Sequence, residues 1–299
     1  MSASALDDLP TLGTGAWRYR LERHWARLPR CWSFGTDDLG GPPRTAVKGA
    51  VAANGDVYVL SRSAHPVSVF DARGQFVTSW GEGKFSVFVH GLTIAPDQTV
   101  WITDSGTHVV TVHEPSGKLV RTFGTRDMPS PTLYGNPFNM PTGTAFASNG
   151  DIYIADGYGN RRVHRFAANG TLLQSWGEPG NGPGQFAIVH FIAIDDQDQI
   201  YIADRENHRI QTFGAEGSFK TEWTGFDMPS DLAFGADAIY VGGRDGLSIW
   251  TRDREPIIRW HADEPAAGTF NIHGIWLDPE ENIYLAHFDR AVSKLTRLP

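Results

Sequence analysis

The chain has 299 residues, of which 40% are hydrophobic, and its 26 basic and 34 acidic side chains give a formal net charge of −8. This acidic balance argues against an extended phosphate-binding surface, so we expect no nucleic-acid partner. The single cysteine, Cys31, excludes intrachain disulfides and metal sites built from thiolates alone. The sequence shows neither a signal peptide nor an apolar run of about 18 residues, which predicts no membrane association and a cytoplasmic location.

The N-terminal part of the chain divides into a tail and one isolated strand. Residues 1–16 are expected to form an N-terminal tail. Residues 17–25 contain a short strand candidate that ends in the aromatic Trp25. Its pairing partner is indicated by the incomplete last repeat unit at the C-terminal end of the chain, described below.

From about residue 45 onward, one segment recurs six times: small polar turn residues are followed by a β-branched run that contains an aromatic anchor. An apolar run precedes each copy, so the pair predicts a β-hairpin, and two more strands follow in each unit. Units of four strands that repeat every ~40–50 residues are typical of β-propeller blades. The six anchors are 39 to 52 residues apart and are Tyr58, Trp101, Tyr153, Tyr201, Tyr240 and Tyr284.

The sixth unit is incomplete, because the chain stops at Pro299 after the third strand of that unit, at residues 291–296. Residues 17–25 supply the missing outer strand, since they end in an aromatic residue as the outer strands of the other units do. Closure of this kind leaves no unpaired sheet edge between the chain ends. We therefore predict an all-β fold in which residues 17–299 form a single six-bladed β-propeller, closed by its N-terminal strand.

Three of the 11 histidines share one register. His90, His190 and His273 each lie 11 residues before the anchor of their unit, in blades two, four and six. The innermost strand of every blade lines the channel and alternate blades are about 120° apart, so the three imidazoles should converge on the axis. Three nitrogens with an open fourth position are a ligand set of catalytic Zn²⁺. The sequence therefore predicts a zinc site, with another divalent transition metal as an alternative.

Polar side chains recur just after the second strand of several blades, at the end of the channel where the histidines lie. Arg62, Arg205 and Arg244 stand four residues past their anchors, and Tyr158 stands five residues past its own. Guanidinium groups at this mouth would bind the carboxylate of a small-molecule substrate. A tyrosine beside a metal and arginines can have a lowered pKa, which would let Tyr158 act as a base.

Several motifs also resemble those of a known family. They are Asp156-Gly-Tyr-Gly-Asn160, Pro183-Gly-Gln-Phe186 and Ala203-Asp-Arg-Glu-Asn-His-Arg-Ile-Gln211. Over residues 45–296 the chain resembles NHL-repeat propellers and, more closely, the lyase domain of peptidylglycine α-amidating enzymes. The resemblance implies a catalytic zinc on the three histidines, a catalytic role for Tyr158, and active-site roles for Arg62 and Arg205.

In that family a peptidyl α-hydroxyglycine is split into a peptide amide and glyoxylate: zinc acidifies the α-hydroxyl, the tyrosine takes a proton and an arginine holds the carboxylate. This chain departs from the family pattern at two positions beside the third histidine. Asn271 stands where the family usually has methionine, and we count it with Arg62, Arg205 and Arg244 as a substrate-binding residue. Gly274 replaces an aspartate that helps to hold a structural calcium in the channel, which argues against that ion here.

Three functions remain open at this point. The first is a zinc-dependent lyase that cleaves a small α-hydroxy amide or hemiaminal bearing a carboxylate at the channel mouth. The second keeps the zinc but uses zinc hydroxide as the nucleophile of a hydrolase or of another enzyme that cleaves C–N or C–O bonds. The third is a non-enzymatic NHL scaffold that binds protein or RNA on its top face. Neither the exact substrate nor the oligomeric state can be read from the sequence.

Overall fold

The computed structural model describes residues 9–35, 45–130, 138–263, 270–288 and 292–299. Their strands form six antiparallel blades, and the innermost strands of consecutive blades contact one another around a closed ring. The fold is an all-β, six-bladed propeller, which confirms the prediction from the repeat. No helix in the described part of the chain is long and apolar enough to cross a bilayer.

Each of the first five blades contains four strands in sequence order from the axis outward. Blade one comprises Ala46–Val51, Val57–Ser61, Val67–Phe70 and Phe76–Trp80. Blade two comprises Val89–Ile94, Val100–Asp104, Val109–His113 and Leu119–Phe123. Blade three comprises Gly143–Phe146, Ile152–Asp156, Arg162–Phe166 and Leu172–Trp176. Blade four comprises Val189–Ile194, Ile200–Asp204, Arg209–Phe213 and Phe219–Trp223, and blade five comprises Pro229–Phe234, Ala238–Gly243, Gly246–Thr251 and Pro256–His261. Between blades three and four, a small parallel pair joins Glu178–Pro179 to Gln185–Phe186.

Blade six is built from both ends of the chain. Its three inner strands are Ile272–Leu277, Ile283–His287 and Val292–Arg297. Tyr19–Glu22 pairs antiparallel with the last of these, with Leu21 opposite Leu295, and is the closing strand that the sequence predicts. Thr11–Leu12 adds a short fifth strand outside it, so part of the predicted N-terminal tail lies in this sheet.

The hydrophobic core lies between neighbouring blades. The second strand of a blade is buried on both faces, as in Val100–Asp104, because the flanking blades cover it. The outer strand is more exposed, and in Leu119–Phe123 only the final phenylalanine is buried. One apolar cluster joins Tyr58 of blade one to Leu92 of blade two. The aromatic anchors therefore hold adjacent blades together, which explains why they recur once per blade.

Short polar turns connect the first two strands of each blade, and their side chains bond to the backbone. In blade three, Oδ1 of Asn149 accepts a hydrogen bond from the backbone N–H of Asp151 at 2.9 Å. Gly150, between them, has a φ of +86°, a left-handed conformation that glycine adopts without steric penalty. These are the turn residues from which the hairpins are predicted.

Candidate metal centre

The three predicted metal ligands lie at the start of the innermost strands of alternate blades. Each histidine is the second residue of its strand, and at each the pairing with the neighbouring strand shifts register. The histidine is therefore the extra residue of a β-bulge, which turns a side chain out of the regular alternation. In this way one ring nitrogen of each imidazole lies within 4.8 Å of the others, the three residues being His90, His190 and His273.

Each imidazole is held by a backbone carbonyl of the following blade. The Nδ1 atoms of His90, His190 and His273 lie 2.8, 2.7 and 2.8 Å from the carbonyl oxygens of Thr142, Ser230 and Val47, respectively. A carbonyl oxygen only accepts hydrogen bonds, so Nδ1 carries the ring proton and Nε2 presents a lone pair. Backbone acceptors of this kind orient histidine ligands in metal sites.

Burial keeps the three rings neutral. Burial, with the Arg62 guanidinium as the next cause, lowers the pKa of His90 to about 3. Burial also lowers the pKa of His190 and of His273 well below the usual value, and proximity to His90 adds to the effect on both. Neutral imidazole is the form that ligates metals, so the three side chains need lose no proton to bind one at neutral pH.

The donor set fits a metal ion. Nε2 of His90 and Nε2 of His190 are 3.3 Å apart, and each presents a lone pair. Two acceptors at this distance repel each other unless a cation lies between them. The ring centroids form a nearly equilateral triangle with sides of 4.7, 4.9 and 5.1 Å. The three residues could therefore hold one metal ion on the propeller axis.

Tyr158 lies directly beside the histidines, with its hydroxyl oxygen 3.0 Å from Nε2 of His90. Burial raises the pKa of the Tyr158 phenol, although Arg205, which also hydrogen-bonds to it, and Arg62 lower that pKa in part. The loss of hydration outweighs the attraction of two positive charges. The side chains around Tyr158 therefore do not by themselves lower its pKa, and the lowered value expected beside a bound metal stays a prediction.

Arg62 and Arg205 flank the phenol, and other groups hold them in place. Arg62 is buried, and its Nε donates a hydrogen bond to the carbonyl oxygen of Val89 at 3.1 Å. Arg205 begins the 3₁₀ turn Arg205–Asn207, and its Nε and Nη2 donate to Oε1 of Glu206 at 2.9 and 2.6 Å. The structure therefore places both predicted arginines beside the phenol of Tyr158, and Glu206 holds Arg205 in position.

A cavity of about 340 Å³ opens beside this cluster. Its lining residue Phe288 contacts the metal centre, because the Phe288 ring lies 5.0 Å from that of His273. Oδ1 of Asn271 is buried and has no hydrogen-bond partner among the described residues. Three of the four predicted substrate-binding residues line the cavity, and Arg62 is not among the described residues that do. The lining residues are Arg205, Met228, Ser230, Arg244, Asn271 and Phe288.

Comparison with known proteins agrees with the repeat pattern. The NHL repeat model matches residues 138–166 and 186–213. Over 75% of its length the chain is 31% identical to human NHL repeat-containing protein 3 and 30% identical to the mouse protein, and it covers 65% and 67% of them. The chain belongs to the NHL-repeat family.

The relatives of this NHL-repeat chain include amidating lyases. It is 32% identical over 240 residues to peptidyl-alpha-hydroxyglycine alpha-amidating lyase 1 of Drosophila melanogaster, across 73% of this chain and 41% of the lyase. It therefore spans less than half of that relative and just under two thirds of the human NHL protein. Among solved structures, a streptogramin B lyase superposes with a TM-score of 0.61 at 16% identity, over 95% of this chain and 99% of that one, a likeness of fold alone.

Two residues of this site are not predicted from the NHL-repeat sequence. Phe288 stands four residues past its anchor Tyr284, which is the register of the three arginines, so the same count could have identified it. Glu206 lies one residue beyond that register and contributes by bonding to Arg205. Blades five and six also have an acidic residue at that position, Asp245 and Asp289, so the same count could have pointed to Glu206.

Gly274 permits the close approach of blades six and one. A Cβ atom built there would clash with the carbonyl oxygen of Val47, which accepts from His273, and would lie 3.1 Å from the Cα of Lys48. We expect Gly274→Ala to lower the free energy of unfolding by about 1–3 kcal/mol. It should also weaken metal binding by displacing His273. Denaturant unfolding and competition with a chelator would measure the two effects.

Gly182→Ala provides the matched control for this prediction. A Cβ atom at Gly182 would meet only the end of the flexible Gln185 side chain, which can move aside. Stability and metal affinity close to those of the parent chain are expected. Equal effects of the two substitutions, or a Gly274→Ala protein with unchanged metal affinity, would contradict the role given to Gly274.

Proposed function

We propose that this chain is a zinc-dependent lyase that cleaves a small, carboxylate-bearing α-hydroxy amide into an amide and an α-oxo acid. The observation that carries the proposal is the convergence of three neutral, carbonyl-anchored imidazoles beside Tyr158 and two arginines. The similarity to a Drosophila amidating lyase supports the class of reaction. The substrate carboxylate is proposed from the positive charge of the neighbouring cavity wall.

Zinc suits this donor set. Two nitrogens about 2.0–2.1 Å from a tetrahedral zinc ion are themselves about 3.3–3.4 Å apart. The Nε2 atoms of His90 and His190 are separated by 3.3 Å. Three neutral imidazoles with an open fourth position are, moreover, an arrangement of catalytic rather than structural zinc. When bound, zinc would supply Lewis-acid polarisation of a substrate oxygen.

The cavity beside the histidines would bind the rest of the substrate. Arg244 and Arg205 line it with guanidinium groups, which suit a carboxylate, although Glu206 neutralises part of the charge of Arg205. Arg62 adds positive charge at the phenol. The buried Oδ1 of Asn271 accepts hydrogen bonds, and the hydroxyl and amide N–H of an α-hydroxy amide both donate them. Phe288 contributes an apolar wall for the acyl group.

Tyr158 would move the protons. During the cleavage the α-hydroxyl loses its proton and its C–O bond becomes a carbonyl, while the C–N bond breaks with its electron pair passing to nitrogen. In the proposed cycle Tyr158 gives its phenolic proton to the departing nitrogen and recovers one from the α-hydroxyl, so the protons balance. Arg205 and Arg62 stabilise the transient phenolate, and the side chain ends the reaction unchanged.

Tyr158→Phe is expected to lower kcat by about 10²–10⁴. Metal content and KM should stay within about threefold of the parent values, because the ring that contacts His90 is retained. The release of glyoxylate from N-benzoyl-α-hydroxyglycine measures the effect. Tyr153→Phe, in the same blade but with its hydroxyl on the carbonyl of Ala215, is the control and should keep full activity. An unchanged kcat in Tyr158→Phe would refute the proton-transfer role.

The products of the same substrate separate the alternative functions. A lyase releases benzamide, whereas a hydrolase that attacks the amide carbonyl releases benzoate carrying oxygen from labelled water. Labelled benzoate would replace the lyase with the hydrolase. If the metal-loaded chain turned over no carboxylate-bearing amide, the function would be that of a binding scaffold.

A further inference from the structure

A buried ion pair lies in the channel next to the histidine layer. Nζ of Lys48 donates to the carboxylate of Asp231 and, at 2.7 Å, to the carbonyl oxygen of Ile275. The Asp231 carboxylate also accepts from the backbone N–H groups of Ile275 and Leu232, each at 2.8 Å. Lys48 is 7% exposed and Asp231 is 1% exposed, so both charges are shielded from bulk water.

The ammonium group of this pair lies near the propeller axis. Lys48 belongs to the innermost strand of blade one, and Asp231 belongs to that of blade five. Nζ of Lys48 also lies 4.2 Å from the ring centroid of Phe191, in the innermost strand of blade four. Blades one and four are opposite in a ring of six, so a group that contacts both must be central.

The ion pair is directly joined to the groups that orient the metal-binding rings. Lys48 follows Val47 and Asp231 follows Ser230, and the carbonyls of Val47 and Ser230 each accept from one of the three imidazoles. The positive charge of Lys48 also reaches the histidines, because it is one of the causes that lower the pKa of His90. A change in this layer would therefore act on the metal centre through both position and charge.

Stability alone does not account for charges at this place. Replacing a buried ion pair with apolar residues of similar volume is often neutral or stabilising, whereas removing one partner leaves an uncompensated charge. An unpaired ammonium on the axis would repel a divalent cation at the histidines, and an unpaired carboxylate would attract it. The two residues thus have opposite effects on metal binding, even though each charge is stabilised in the interior by the other.

We propose that Asp231 is a positioning residue of the metal centre: it neutralises the resident Lys48 ammonium and holds the strand whose carbonyl orients His190. The inference rests on the metal site of the proposed function and is independent of the reaction catalysed there. Its distinguishing consequence is that the two members of one ion pair change metal affinity in opposite directions.

The test compares zinc affinity in Asp231→Asn, Lys48→Met and the double variant, each made in the full chain and titrated against a chromogenic chelator. Asp231→Asn should bind zinc at least about tenfold more weakly, because the ammonium is left uncompensated. Lys48→Met should bind zinc at least as tightly as the parent. The double variant, whose layer is neutral, should return to within about threefold of the parent.

Lys294→Met is the matched control, because it removes another largely buried lysine. Lys294 lies on the third strand of blade six, and its Nζ is 3.4 Å from a carboxylate oxygen of Asp278. The zinc affinity of this variant should equal that of the parent. If both single variants of the axial pair weakened binding in parallel with their loss of stability, the role would be structural and the inference overturned. If Asp231→Asn did not fold, weakened binding in Lys48→Met would still overturn it.

The outcomes also separate this inference from the proposed function. A parent chain that binds no zinc would overturn both. A parent chain that binds zinc and shows the opposite shifts, but releases no glyoxylate, would retain the inference and refute only the lyase reaction.

Discussion

His190→Ala is expected to release the metal and to lower kcat/KM at least about a thousandfold. The substitution removes one of three nitrogens that converge on the axis, and the remaining two are a poor site for a divalent ion. It also removes the hydrogen bond that the carbonyl oxygen of Ser230 accepts from Nδ1 of His190, at an N···O distance of 2.7 Å. Metal analysis of the dialysed protein and the release of glyoxylate would measure the two losses.

His113→Ala is the matched control, since His113 is also buried but lies on the third strand of blade two and is not one of the three candidate ligands. Its ring bonds to Thr111 at 2.9 Å and to the carbonyl of Gly117 at 3.2 Å. Its removal should lower the free energy of unfolding by about 1–3 kcal/mol with no change in metal content. A His190→Ala protein that retains one metal ion per chain would contradict the assigned site.

Trp25→Ala is expected to lower the free energy of unfolding by about 3–5 kcal/mol, a large part of the ~5–15 kcal/mol typical of a folded domain. Trp25 is 1% exposed and packs at the junction between blades one and six, where the ring closes. Its ring contacts Phe70 of blade one and Tyr284 of blade six, with centroids 6.0 and 4.9 Å away. Its backbone N–H donates to the carbonyl of Val292 at 3.0 Å, so the loss opens a cavity at the closure.

Trp32→Ala tests whether the position rather than the residue type matters. Trp32 lies in the same N-terminal segment but is partly exposed, stacking on His65 and contacting Phe76. We expect a loss of about 1 kcal/mol, because only part of its surface is buried. Denaturant unfolding measures both proteins. Equal losses in the free energy of unfolding would mean that the junction between blades one and six contributes no more stability than the partly exposed site of Trp32.

The architecture could be predicted because every blade repeats the same hairpin and packs the same kind of aromatic anchor against its neighbour. Six anchors and their hairpins indicated the number of blades, and the missing fourth strand of the last unit indicated that residues 17–25 would close the ring, as Tyr19–Glu22 does. The depth of the three histidines followed from the same count, because equal positions on equivalent strands lie at equal depth. Thr11–Leu12 was missed, since two residues are too few to show a period.

The electrostatics of the site could not be predicted in this way. The pKa of Tyr158 depends on how deeply neighbouring blades bury the phenol, and that burial exceeds the effect of Arg205 and Arg62. Lys48 and Asp231 are 183 residues apart and occupy the same strand position, directly after the β-bulge, where the other four blades have glycine or phenylalanine. A periodic pattern carries no information about residues that occur once.

The sequence by itself determined the six blades, the closing strand, the three histidines that share one depth, and the exclusion of a metal site built from thiolates alone. Only the tertiary structure decided which ring nitrogen faces the axis, which residues line the cavity and which charges lie beneath the metal centre. The physical reason is that register along a strand specifies depth in the channel, whereas tautomers, pKa values and cavities depend on atoms from other blades. The carbonyls that orient the three imidazoles, for example, lie 40 to 226 residues away along the chain.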